Sequence, residues 1–147
     1  RAAVMQGPAV VAFVPAHLAD LDPPVFTNQR LRRFAAAYRP CGPAFTLMNA
    51  GRALGCAGLV IEADEGRAWG FFSEVLRRRP LLLHRRVKRA LPALIAHYGL
   101  RSVTAEAQVG FTAARRWLER LGFIEEEVLS RFAGTTEDYA RYRLWVR

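Results

Sequence analysis

The spacing of apolar and polar positions changes several times along the chain, and each change marks an element. Ala9 to Val14 is a short β-rich run closed by Pro15 and reads as a first strand. His17 to Leu21 allows one helical turn before the breaker Asp22-Pro23-Pro24. From Phe26 to Tyr38 the period lengthens: Leu31, Phe34, Ala35 and Tyr38 recur at helical spacing. Thr27 or Asn28 can cap that helix, and Pro40, Gly42 and Pro43 end it. Ala44 to Asn49 then leads through the hairpin signal Ala50-Gly51 into Ala53 to Glu62, a run apolar enough for a strand buried on both faces. Asp64-Glu65-Gly66 predicts a second turn, and Arg67 to Val75, with Trp69, Phe71 and Phe72, a further strand.

Arg77-Arg78-Arg79-Pro80 interrupts this meander. Leu81 to Tyr98 is helical, with Val87, Leu91, Leu94 and Tyr98 on one face, Arg85, Arg86 and Arg89 outside it, and Gly99 as the stop. Pro92 inside it predicts a kink. Arg101 to Ala107 is a strand, so Arg67–Val75 and Arg101–Ala107 form a β-α-β crossover, parallel and right-handed. Phe111 to Leu121 is a short helix ended by Gly122. Phe123–Phe132 and Tyr139–Val146 form a last strand pair around Gly134. The order β-α-β-β-β-α-β-α-β-β predicts an α/β fold (α+β mixed sheet) with helices on both faces.

At 147 residues the expectation is a single domain over 1–147. The chain is 52% hydrophobic and 24% charged, which argues against disorder. No apolar run approaches the ~20 residues of a membrane span, and the first residues lack the pattern of a signal peptide. The chain begins with Arg1 rather than Met, so a few leading residues are expected to be missing. Two cysteines, Cys41 and Cys56, in apolar surroundings make no disulfide framework, so the expected compartment is the cytoplasm. Three dispersed histidines show no metal-ligand spacing.

Lys and Arg total 22 against 13 Asp and Glu, a net charge of +9, and Lys88 is the one lysine. Seven basic residues fall between Arg77 and Arg89 with no acid among them. Such a window attracts phosphate, of a nucleotide cofactor or of nucleic acid. No aromatic residue interleaves it, which disfavours single-stranded nucleic acid. A solvated helix face is the alternative.

The segment Ala113-Ala114-Arg115-Arg116-Trp117-Leu118-Glu119-Arg120-Leu121-Gly122-Phe123, with "HYGLRSVTAEA" before it and the element order around it, resembles the GCN5-related N-acetyltransferase (GNAT) superfamily. The resemblance runs from about Val10 to Val146, and the style of the sequence also resembles divergent phage and prophage members, some of them virion components. It implies an acetyltransferase: acyl transfer from acetyl-CoA (CoA) to a small-molecule or protein amine acceptor, with no membrane partner. Oligomeric state stays open, a homodimer included. In the family the fourth and fifth strands splay, and the pantetheine arm pairs with the fourth. The resemblance therefore implies cofactor contacts from Val75, Arg77, Arg79, Leu82, His84 and Arg85, and from Phe111 at the start of the late helix.

The sequence departs from that pattern. Leu82 and His84 stand where glycines usually let backbone approach the pyrophosphate. Either Arg77, Arg79 and Arg85 bind phosphate through their side chains, or the site has lost CoA. Phe111 and Leu118 stand where many relatives carry an Asn and a proton-donating Tyr, and Trp117 reads as core. The expected catalytic base is Glu74 at the end of the fourth strand, on the face of Phe72, with Glu106 and Glu62 as alternatives. For Glu74 a strand-end ion pair with Arg77 or Arg78 competes. Glu125 and Glu127 share a face of the sixth strand and could meet a cationic acceptor or protect an edge. A GNAT-like fold without catalysis, serving as a structural or binding protein, is the second reading.

Overall fold

The computed structural model describes residues 8–22, 28–130 and 137–147. The elements run β1 (Ala9–Ala12), a 3-10 helix (Pro15–Asp20), α1 (Asn28–Ala37), β2 (Ala44–Asn49), β3 (Arg52–Glu62), β4 (Glu65–Phe72), α2 (Glu74–Arg77), α3 (Pro80–Tyr98), β5 (Ser102–Gln108), α4 (Thr112–Arg120), β6 (Ile124–Leu129) and β7 (Tyr139–Trp145). The strands form one seven-stranded mixed sheet in the order β1-β2-β3-β4-β5-β7-β6. Backbone contacts divide the chain into two compact units, Arg1–Leu59 with Gly70–Leu83, and Val60–Trp69 with His84–Arg147.

In the first unit, β1 and β3 both pair antiparallel with β2. The β2–β3 hairpin turns on Ala50 and Gly51, at φ +52° and +77°, the left-handed pair that a two-residue turn needs. Its core gathers Phe13, Leu18, Leu21, Leu47, Cys56, Leu59 and Leu76. Burial pushes the Cys56 thiol up, against a lowering hydrogen bond from Thr46. Cys41, expected in apolar surroundings, is exposed. The cap expected at Thr27 or Asn28 lies outside the described residues and side chains.

Both ends of the fourth strand differ from expectation. The second turn is Ala63-Asp64, with Ala63 at φ +54°, so Glu65 and Gly66 lie in β4 rather than in the turn. β4 ends at Phe72. Ser73 accepts a hydrogen bond from the Leu76 N–H at 3.4 Å and caps a short helix in which Glu74 and Val75 are the first residues. The strand expected to reach Val75 is cut short because a serine that can cap outweighs a β-branched residue two positions later.

In the second unit β5 lies between β4, parallel, and β7, antiparallel, with β6 beyond β7. Val103, Ala105, Ala107, Ala140 and Tyr142 are buried, with Leu91, Leu100, Leu118 and Phe123 also in the core. Of the expected α3 face, Leu91 is buried and Val87 and Leu94 half-buried, but Tyr98 is exposed. α3 continues through Pro92, which removes one helical hydrogen bond without ending the helix.

Candidate functional site

The strand alternation of β5 decides the chemistry of this half of the sheet. Val103, Ala105 and Ala107 enter the core, so Ser102, Thr104, Glu106 and Gln108 point the other way. On that face Thr104 sits beside Arg67 of β4 and Arg143 of β7, and Glu106 beside Arg141. The Glu106 side chain is 8% exposed, and its charged partner is Arg141 Nη2 at 3.9 Å. Burial raises the Glu106 carboxyl above the ordinary carboxylate range, while Arg141 and Arg67 pull it back down.

The parallel ladder between β4 and β5 is short. It pairs Glu65–Ala68 with Ser102–Ala105 and stops. β4 runs on to Phe72 and β5 to Gln108 past that last pair, and Glu106 is the first β5 residue beyond it.

Glu74 is placed differently from the strand-end base that the sequence suggests. It opens α2, its carboxylate is half exposed, and Arg78 Nε stands 3.9 Å away at i+4. Val75 is 55% exposed on the same turn. Arg77 Nε donates to the Phe72 carbonyl at 3.2 Å, so that guanidinium is already engaged with the backbone. The Arg79 carbonyl accepts from the N–H groups of Leu82 and Leu83 at 3.1 and 3.3 Å, and the Arg79 N–H donates to Leu76. These are the ordinary bonds of a helix's first turn. Arg79 and Arg85 are exposed, with no hydrogen bond or ion pair from their side chains among the described residues.

His84, which the resemblance implies as a cofactor contact, is half-buried and bonded within the fold. The Trp117 indole N–H donates to its Nδ1 at 3.2 Å, linking α3 to α4. An indole nitrogen only donates, so Nδ1 is the acceptor of that bond. Phe111 precedes α4 as its N-cap and is 43% exposed. Leu118 is buried.

The acidic run of β6 is wholly engaged. A bulge between Glu125 and Glu127 breaks the alternation, so the expected shared face does not form. Glu125 accepts from Arg115 at 2.7 Å, Glu126 from Arg143 at 2.6 Å and Glu127 from Arg141 at 3.0 Å. Arg115 also donates to the buried Tyr142 hydroxyl at 3.0 Å and to the Val109 carbonyl at 3.0 Å. This anchor of α4 carries no signature in the sequence, because its partners come from elements that only the folded sheet brings together. A cavity of about 700 Å³ beside Leu91, Ile95, Leu121 and Trp145 carries a single charged lining residue, Lys88, and no converging polar groups. Among the described residues no cluster of His, Cys, Asp and Glu could hold a metal ion, and no helix is long and apolar enough to cross a membrane.

No family model matches the sequence, and no curated protein matches it. Solved structures do match. The ribosomal-protein-S18-alanine N-acetyltransferase from Escherichia coli aligns over 95% of this chain and 94% of its own at TM-score 0.74 and 16% identity. A spermidine N-acetyltransferase chimera from Vibrio cholerae and hSSAT aligns over 95% and 96% at 0.72 and 15%. A GNAT-family acetyltransferase from Streptococcus pneumoniae aligns over 95% and 100% at 0.68 and 14%. The chain has the GNAT acetyltransferase fold. Against that fold the β4–β5 ladder is the parallel pair expected to part, and the α2–α3 segment is the one expected to meet phosphate. Leu82 and His84, at the expected glycine positions, lie within α3.

Proposed function

We propose that this chain is an acetyl-CoA-dependent N-acetyltransferase acting by direct attack of an amine on the thioester carbon. The observation that carries the reading is the end of the parallel ladder at Ala68–Ala105 within a GNAT fold. When bound, acetyl-CoA supplies an acyl carbon activated as a thioester. Arg79 and Arg85 would hold its phosphates by charge-assisted hydrogen bonds. The backbone of β4 beyond Ala68, which has no ladder partner on β5, polarises the carbonyl. Glu106, rather than Glu74, takes the proton from the attacking nitrogen, directly or through water. It lies just past the last strand pair, it is buried, and its raised pKa suits a base. The nitrogen–carbon bond forms as the carbon–sulfur bond breaks. Phe111 and Leu118, where many family members carry an Asn and a Tyr, have no proton to give the sulfur. A thiol pKa near ~8.5 lets the thiolate leave into solvent.

The second reading is a GNAT-like fold that serves as a binding or structural component, such as part of a phage particle. Leu82 and His84 in place of glycines, and Leu118 in place of a tyrosine, are what support it. Calorimetry with CoA separates the two. Micromolar to millimolar binding, weakened by ~1.5–3 kcal/mol for each charged contact removed in Arg79→Ala with Arg85→Ala, supports the enzyme. No heat at millimolar CoA removes it.

A further inference from the structure

The strand order leaves β1 and β6 as the edges of the sheet, and the sequence treats them differently. β6 is guarded: three consecutive acids and a bulge between Glu125 and Glu127 discourage a further strand. β1 has no such device. It reads Ala-Val-Val-Ala, and no Asp, Glu, Lys or Arg stands between Arg1 and Asp20, in a chain of net charge +9. All of its residues are exposed. The neighbouring β2 buries side chains on both of its faces, Thr46 and Leu47, yet Val11 and Val10 opposite them are 40% and 50% exposed.

The register shows which backbone groups are open. The Phe13 N–H donates to the Ala44 carbonyl at 3.0 Å, so Phe13 and, by alternation, Val11 and Ala9 bond inward to β2. Val10 and Ala12 therefore turn their N–H and C=O groups outward, and neither has a hydrogen bond on that side among the described residues. An antiparallel copy of the same strand answers this spacing. Val10 exchanges both of its outward hydrogen bonds with Ala12 of the partner subunit, and Ala12 does the same with Val10 of the partner subunit. Val11 then stands directly opposite its own copy in a non-hydrogen-bonded pair, where side chains lie closest. We propose that two copies of this chain pair through β1 in that register. The site is self-complementary about a two-fold axis, and two chains of like net charge meet there along a segment with no formal charge to repel. A strand this short gives a small interface, so the dimer depends on concentration. The proposal is independent of the acetyltransferase reading.

The test is the solution mass of the intact chain by light scattering and sedimentation. The native mass should rise from 16.5 kDa towards twice that value as the concentration is raised from about 5 to about 500 µM. Val10→Pro removes an outward N–H and leaves the inward bonds of Ala9 and Val11, so it should hold the chain at the single mass with its thermal melt kept. Val11→Lys and Val11→Glu should each stay single, because like charges then stand directly opposite. An equimolar mixture of the two should regain the doubled mass and lose it again in high salt, which a merely misfolded variant would not do. Ile124→Lys, on the guarded edge, should leave the native dimer intact. A native chain that stays single at about 500 µM overturns the proposal, whatever other partner β1 then takes. A dimer that survives Val10→Pro and Val11→Lys, a dimer broken by Ile124→Lys instead, or a mixture that fails to restore pairing also overturns it.

Discussion

Glu106→Gln tests the proposed base most directly, since it keeps the shape of the side chain and removes its ability to take a proton. Two opposed effects set the behaviour of the native residue. A charge pair at 3.9 Å attracts by about 4 kcal/mol at an effective dielectric near 20, and Arg141 supplies that attraction. Burial opposes it and prevails, since the carboxyl sits above its ordinary range. A positioned general base contributes ~10²–10⁴-fold, or roughly 2.7–5.4 kcal/mol of barrier. The variant should lose that factor in kcat/KM, and the rise in activity as Glu106 deprotonates should vanish from the pH profile. The sign for stability follows from linkage. A carboxyl raised in the folded state binds more protons folded than unfolded across the window from its ordinary pKa of 4.5 up to the folded value. Native stability therefore falls as pH climbs through that window, and the Gln variant should lack the fall. Arg141→Leu should move the rising limb of activity to higher pH. Thiol release from acetyl-CoA across pH 5–9, with thermal melts at each pH, measures all of this. Unchanged kcat/KM and an unchanged profile in Glu106→Gln would refute the assignment.

Other consequences follow from the packing and the surface charges. A Cβ on Gly58 would stand 2.5 Å from the Pro43 carbonyl oxygen and 2.9 Å from the Ala44 Cα, both backbone. Gly58→Ala should cost about 1–3 kcal/mol, whereas Gly110→Ala, with nothing within 4 Å, should be near neutral; paired melting curves decide. Trp117→Phe removes the donor to His84 and should destabilise the chain by ~0.5–1.5 kcal/mol plus any loss of packing, measured by denaturant unfolding. Arg143, with help from Ser102, holds Glu65 below the ordinary carboxylate range, so that pair adds stability above the ordinary pKa and loses it as pH falls through the folded one. Arg143→Gln should flatten this acid-side loss in a pH series of melts.

The sequence carried the fold further than it carried the site, and the reason lies in the range of the interactions. Element order depends on local period and on punctuation, both of which are written in consecutive residues. Ala44–Asn49 and the Ala50-Gly51 turn were legible for that reason, and so was α3 with its Gly99 stop. Strand ends were harder, because Ser73 is a modest signal until Leu76 supplies the N–H that makes it a cap. That single cap moved Glu74 from a strand end to an exposed helical turn, and with it the expected base. Glu106 could be read only as an alternative, since its burial and its Arg141 partner depend on β7 lying beside β5, a pairing across some 35 residues of sequence that no local pattern announces. The Glu125-Glu126-Glu127 run shows the same limit. As sequence it is three acids on an edge strand. As structure a bulge sends them to three different arginines, and the charge that looked available to a cationic ligand is neutralised within the protein.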